Sequence, residues 1–138
     1  MFKEKTSKLT KGSITYFTGG SGRPLIHLHG ASGVRPNAGL EALAENVTLY
    51  MPVLPGFDGT AEIVGVASME TLADLVADFI DKEIGEAVDV LGLSFGGWLG
   101  AWLAVRHPNK VGQLCLENPT GFHPDSMAAP SSDPELCK

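Results

Sequence analysis

Ser94 is the residue whose setting most invites chemistry. It lies in Gly92-Leu93-Ser94-Phe95-Gly96, a G-x-S-x-G spacing inside "VDVLGLSFGGWLG". An apolar strand-like run ends at the first glycine and an apolar helix-like run follows the serine, so the hydroxyl stands on a sharp turn between them. Such a turn brings the residues two positions either side of the serine together, and Gly92 and Gly96 remove the side chains that would collide there. The Phe95 N–H then falls at a helix N-terminus, where it can donate to a developing oxyanion with the help of the helix dipole. The chemistry this suits is attack by a serine oxygen on a carbonyl.

A second stretch, "HLHGASG" (His27–Gly33), leaves a strand and enters a glycine-containing loop that can offer another backbone N–H, that of Ala31. His29 is expected to hold this loop through hydrogen bonds rather than to serve as a base, and His27 to be a structural histidine. Asp58, in "GFDG", is expected to be an exposed turn-forming carboxylate near the pocket mouth. His107, closing a helix, and His123, opening a loop, are expected to be exposed.

These residues need elements to position them. Lys3–Leu9 and Ser13–Thr18 read as short strands, the first a charged, solvated edge and the second alternating Ile14 and Tyr16 against polar neighbours. Thr18–Pro24 reads as a turn, "PLIHLHG" as an inner strand, Ala38–Glu45 as a short helix, and "VTLYMPVLPG" as the next strand. After a loop over Phe57–Ala67, Ser68 is placed to cap a helix of about four turns. In that helix Leu72, Leu75, Val76, Phe79 and Ile80 share a face, while Glu70, Asp74, Asp78 and Asp81 point away. "AVDVLGL" reads as a strand, Phe95–Arg106 as a helix stopped before Pro108, and "VGQLCLEN" as a last strand. The tail from His123 to Lys138 loses periodicity and reads as disordered. Alternating strands and helices favour an α/β fold: a mostly parallel sheet with helices on both faces.

Composition narrows the partners. The chain has 138 residues, enough for one domain with a hydrophobic core, and a net charge of −6 with no basic patch, which argues against nucleic acid and anionic membranes. No long apolar run resembles a membrane span and Met1 is not followed by an apolar signal segment, so the expected compartment is the cytoplasm. That compartment argues against a disulfide between Cys115 and Cys137, and neither cysteine has metal-ligand spacing. No metal and no cofactor are expected. "GLSFGG" is not G-x-G-x-x-G, which speaks against a dinucleotide site.

Three segments, "PLIHLHGASG", "MPVLPGFDGTA" and "DVLGLSFGGWLGAWLAVRHPNKVGQLCLENPTGF", together resemble the N-terminal half of the α/β-hydrolase-fold superfamily, in order and spacing, over residues 13–122. The resemblance implies that Ser94 is the nucleophile, that Phe95 and Ala31 supply the oxyanion N–H groups, and that Gly92 and Gly96 are the glycines of the nucleophile elbow. It also implies the order serine, acid, histidine. The family's histidine follows its last strand, so the catalytic histidine and acid are expected to be missing from this chain; Glu117, at the end of the last strand, and His123, a short step past "LCLENPTG", are the remaining candidates for acid and base. The family's later strands have no counterpart in this sequence, so residues 1–122 are expected to be the N-terminal part of a hydrolase domain and 123–138 a tail. The expected function is serine-nucleophile hydrolysis of an ester or thioester of a small substrate, incomplete in this chain. The alternative is a non-catalytic, truncated or partner-dependent scaffold, in which a second chain completes the sheet. The partners expected are a small-molecule acyl substrate and that second chain, with neither nucleic acid nor membrane.

Overall fold

Alternation along the central strands decides what each face of the sheet presents. The computed structural model describes residues 1–122; the tail expected to be disordered, with His123 and Cys137, lies outside the described residues. The elements run β1 (Lys3–Lys8), β2 (Ser13–Gly20), β3 (Arg23–Leu28), α1 (Ala38–Leu43), β4 (Val47–Pro52), α2 (Met69–Glu83), β5 (Val88–Leu93), α3 (Phe95–Arg106) and β6 (Val111–Glu117). A short 3-10 turn, Pro108–Lys110, separates the last two. The turn expected over Thr18–Pro24 is shorter than that: β2 pairs with β4 as far as Gly20, and β3 resumes at Arg23.

The six strands lie in the order β1-β2-β4-β3-β5-β6. β1, β2 and β4 pair antiparallel, whereas β4, β3, β5 and β6 are parallel neighbours. On one face, Ile26 and Leu28 of β3, Tyr50 of β4, and Val88 and Val90 of β5 pack under α2 and α3. On the other, Leu25, Leu49 and Met51 pack with Leu40 of α1 and with Val34 and Val53. Helices therefore cover both faces, as the alternation implied.

Helix α2 forms where the sequence places it. Ser68 accepts the Thr71 N–H and the Thr71 hydroxyl accepts the Ser68 N–H, a reciprocal capping box. Leu75, Val76, Phe79 and Ile80 are all buried, each worth about 1.5–3 kcal/mol of apolar burial. The acidic stripe does not simply face water. Asp74 accepts both Arg106 nitrogens, at 3.0 and 2.9 Å, and contacts His107 Nε2 at 2.7 Å. Asp78 accepts the Thr10 N–H at 2.8 Å. His107 is consequently half-buried rather than exposed, because the stripe reaches the end of α3.

Candidate active site

The passage from β5 into α3 is tight. Ser94 has φ 52° and ψ −112°, a backbone conformation that costs a residue with a side chain of order 1–3 kcal/mol. Its backbone is held there from several directions. The Ser94 N–H donates to the Glu117 carbonyl at 2.9 Å, and the Ser94 carbonyl accepts from Gly97, Trp98 and Thr120 at 3.0, 3.1 and 3.2 Å. The hydroxyl does not cap the helix it precedes, which leaves it available. A Cβ on Gly92 would stand 2.5 Å from the Gly96 carbonyl oxygen, and one on Gly96 would stand 2.0 Å from the Leu28 carbonyl oxygen. No side chain fits at either place, so both glycines serve close backbone approach. Phe95 is the first residue of α3, directly after Ser94.

The 30–35 loop begins against this turn: a Cβ on Gly30 would lie 3.4 Å from the Ser94 Cβ. Gly33 N–H closes the loop onto the Gly30 carbonyl at 3.0 Å, with the exposed Ala31 between them. His29 is fully buried and braces the loop's start. Its Nδ1 lies 2.7 Å from the Gly30 carbonyl and its Nε2 accepts the Leu54 N–H at 3.0 Å, which assigns the ring proton to Nδ1. Burial, foremost, lowers the His29 pKa, outweighing the Gly30 contact, and both ring nitrogens are committed. His27 is also buried, and burial followed by the neighbouring His29 pushes its pKa down to about 4. Its Nδ1 has no hydrogen-bond partner among the described residues. With both of its ring nitrogens engaged, His29 is not disposed as a proton acceptor for Ser94.

Asp58 is more than a turn former. It does take a left-handed backbone, φ 51°, but its carboxylate also accepts the Val34 N–H at 2.7 Å and the Arg35 guanidinium at 2.8 Å. Arg35, foremost, holds its carboxyl below the usual carboxylate range; burial opposes this, and the Val34 N–H adds to the lowering. Phe57 stands between the two halves of the site, edge-on to His29 at 4.9 Å and 5.7 Å from Phe95. Sequence reasoning passed over Arg35, which belongs to no motif, and gave Phe57 no role although it stands in "GFDG", because their partners lie far along the chain. Glu117 ends β6 with its side chain exposed, lining with His27, Ser32, Arg35 and Leu93 a cavity of about 330 Å³. His123 lies outside the described residues, three positions after Thr120.

The model of a family described as the alpha/beta hydrolase family matches residues 25–135. The dihydrolipoyllysine-residue acetyltransferase component of the acetoin cleaving system of Cupriavidus necator is 33% identical over 106 residues, 75% of this chain and 28% of that protein. A pimeloyl-(acyl-carrier protein) methyl ester esterase of Neisseria meningitidis is 38% identical over 84 residues, 56% of this chain and 31% of that protein. Among solved structures, a putative acyltransferase from Salmonella enterica superposes with a TM-score of 0.82 at 26% identity, over 99% of this chain and 47% of its own. The chain thus spans less than a third of these curated relatives and less than half of that structure.

Proposed function

Because this chain belongs to the alpha/beta hydrolase family, we propose that it carries the nucleophile and oxyanion side of an acyl-transfer site acting on an ester or thioester of a small substrate. Ser94 Oγ attacks the carbonyl carbon, and the Phe95 and Ala31 N–H groups receive the negative charge that moves onto the carbonyl oxygen. The observation that carries this reading is the strained Ser94 backbone at the head of α3. Strain kept at one serine whose hydroxyl caps nothing is hard to account for by folding alone. The names of the relatives, an esterase and an acetyltransferase, point the same way, toward acyl groups.

The serine proton must leave as the new C–O bond forms, and it passes to His123 or to a histidine of a second chain. Glu117 is the acid that would orient such an imidazole. We place the reaction in the cytoplasm; no helix among the described residues is long and apolar enough to cross a membrane. The test is labelling by a fluorophosphonate, which reacts only with an activated serine, with the site read by peptide mass. Covalent mass on the Ser94 peptide, absent from Ser94→Ala, is the expected result. No label, or equal label in both proteins, defeats the reading.

One observation favours a second reading, a scaffold completed by a partner chain. The outer edge of β6 pairs with no strand among the described residues, and its face carries an apolar cleft of about 320 Å³. A partner supplying strands and a histidine would raise labelling of Ser94 on mixing; the lone chain would then be labelled slowly and the mixture fast.

A further inference from the structure

The turn that follows β4 reaches the 30–35 loop at both ends. At the start, the Leu54 N–H donates to His29 Nε2 at 3.0 Å, and the same ring contacts the Gly30 carbonyl at 2.7 Å. At the far end, the Asp58 carboxylate takes the Val34 N–H at 2.7 Å and the Arg35 guanidinium at 2.8 Å, while Arg35 also donates to the Val34 carbonyl at 2.7 Å. The fit under the carboxylate is close: Gly33 has φ 83°, and a Cβ there would stand 2.2 Å from Asp58 Oδ1. Only glycine at 33 lets the carboxylate lie over the loop backbone.

The gripping segment is itself braced. Phe57 N–H donates to the Leu54 carbonyl at 3.1 Å, and Thr60 N–H to the Phe57 carbonyl at 2.9 Å. The Thr60 hydroxyl donates to the Phe57 carbonyl at 2.6 Å. Asp58 adopts a left-handed backbone within this knot, a conformation uncommon for a residue with a side chain. A surface turn has no need of a charged group bonded to a backbone N–H of a loop 24 residues earlier. The bond has a consequence for that loop, because Ala31 lies between the two braces.

We propose that Asp58 is a positioning residue for the acyl-transfer site: through Val34 and Arg35 it fixes the 30–34 loop so that the Ala31 N–H stands ready for the oxyanion beside Ser94. The proposal rests on the reading of Ser94 as nucleophile, and Asp58 itself touches no reacting atom. A misplacement of about 1 Å in a donor is enough to slow a reaction severely. Losing one oxyanion donor outright costs about 100- to 1000-fold. Loosening the loop that holds one should cost less than losing it, about tenfold.

The experiment compares wild type, Asp58→Asn and Arg35→Met by two readouts: the second-order rate of fluorophosphonate labelling at Ser94, and amide hydrogen exchange resolved by residue. In Asp58→Asn, labelling slows about tenfold while exchange at Ala31 and Val34 accelerates, and exchange in α3 and β4 stays as in wild type. Arg35→Met, which leaves the Val34 N–H bond in place, moves both readouts the same way by a smaller factor. Slowed labelling with unchanged loop exchange overturns the proposal, as does a loosened loop with unchanged labelling. If Asp58→Asn fails to fold, as judged by Trp98 and Trp102 fluorescence, Arg35→Met decides alone, and no change in its labelling overturns the proposal. If wild type is never labelled, the Ser94 reading fails and the proposal falls with it. The exchange data then still show whether Asp58 holds the loop, so the two failures are told apart.

Discussion

At Ser94 the hydroxyl and the backbone make opposite demands. The φ of 52° is tolerable for glycine and costly for serine, so Ser94→Gly should stabilise the fold while ending any reaction at this position. Strain relief of 1–3 kcal/mol, less the entropy glycine adds to the unfolded chain, leaves a net gain of about 1 kcal/mol. Urea unfolding followed by Trp98 and Trp102 fluorescence measures it, and a variant less stable than wild type would show that the turn is not strained in solution. The buried histidines make a second demand, on pH. His27 is held down to about 4 against a usual 6.5, and His29 is lowered too, in each case foremost by burial. Between those limits the unfolded chain binds protons that the folded chain refuses, so stability falls as pH is lowered through that window. For His27 alone the loss reaches the order of 3 kcal/mol at its lower end. His27→Leu, which also removes an Nδ1 without a partner among the described residues, should flatten the decline of the urea midpoint from pH 7 to about 4.5; an unchanged slope would assign the acid sensitivity elsewhere.

Elements meet at this site with almost no clearance, and that is a packing statement open to test. Gly96 brings α3 onto the end of β3, where a Cβ would lie 2.0 Å from the Leu28 carbonyl oxygen and 2.6 Å from that of His29. Both neighbours are backbone, which cannot swing aside. Gly96→Ala should therefore cost about 3 kcal/mol, visible as a lowered urea midpoint, and a cost below about 1 kcal/mol would mean that α3 can slide. This part of the site was legible in the sequence because its cause is local: two glycines flank one serine within five residues. Helix α2 was legible for a similar reason, through Leu75, Val76, Phe79 and Ile80 at helical spacing. The grip of Asp58 on Val34 was not, nor the bridge from Asp74 to Arg106 and His107. Those pairs lie 24, 32 and 33 residues apart, and no periodicity within one element announces them. Their residues read as a turn former and a solvated stripe until the elements were brought together.

The two edges of the whole sheet differ in how they are protected. β1, "KEKTSK", carries Lys3, Glu4, Lys5 and Lys8 along one border, and charge of that kind discourages pairing with another strand. β6, "VGQLCLE", forms the opposite border with Leu114 and Cys115 exposed and its only charge at the last residue. The order β1-β2-β4-β3-β5-β6 could not be read from alternation alone, since β2 skips β3 to pair with β4. The exposed end of the order was nevertheless foreseeable, because "VGQLCLEN" is apolar and the described elements place no further strand beside it. Beneath it Leu25, Leu43, Val47, Leu91 and Cys115 line the apolar cleft, rimmed by the Arg23–Asp89 ion pair at 2.5 Å. Unpaired backbone groups next to an apolar face form a template for association. The chain should accordingly gain mass with concentration in light scattering. Gln113→Lys with Cys115→Lys should return it to a monomer with its urea midpoint shifted by less than about 0.5 kcal/mol, because both side chains are exposed. A wild type that stays monomeric at every concentration, or a double variant that associates equally, would show that β6 is protected by some other means. The first outcome would also weaken the partner-completed scaffold, which needs this same edge to be available.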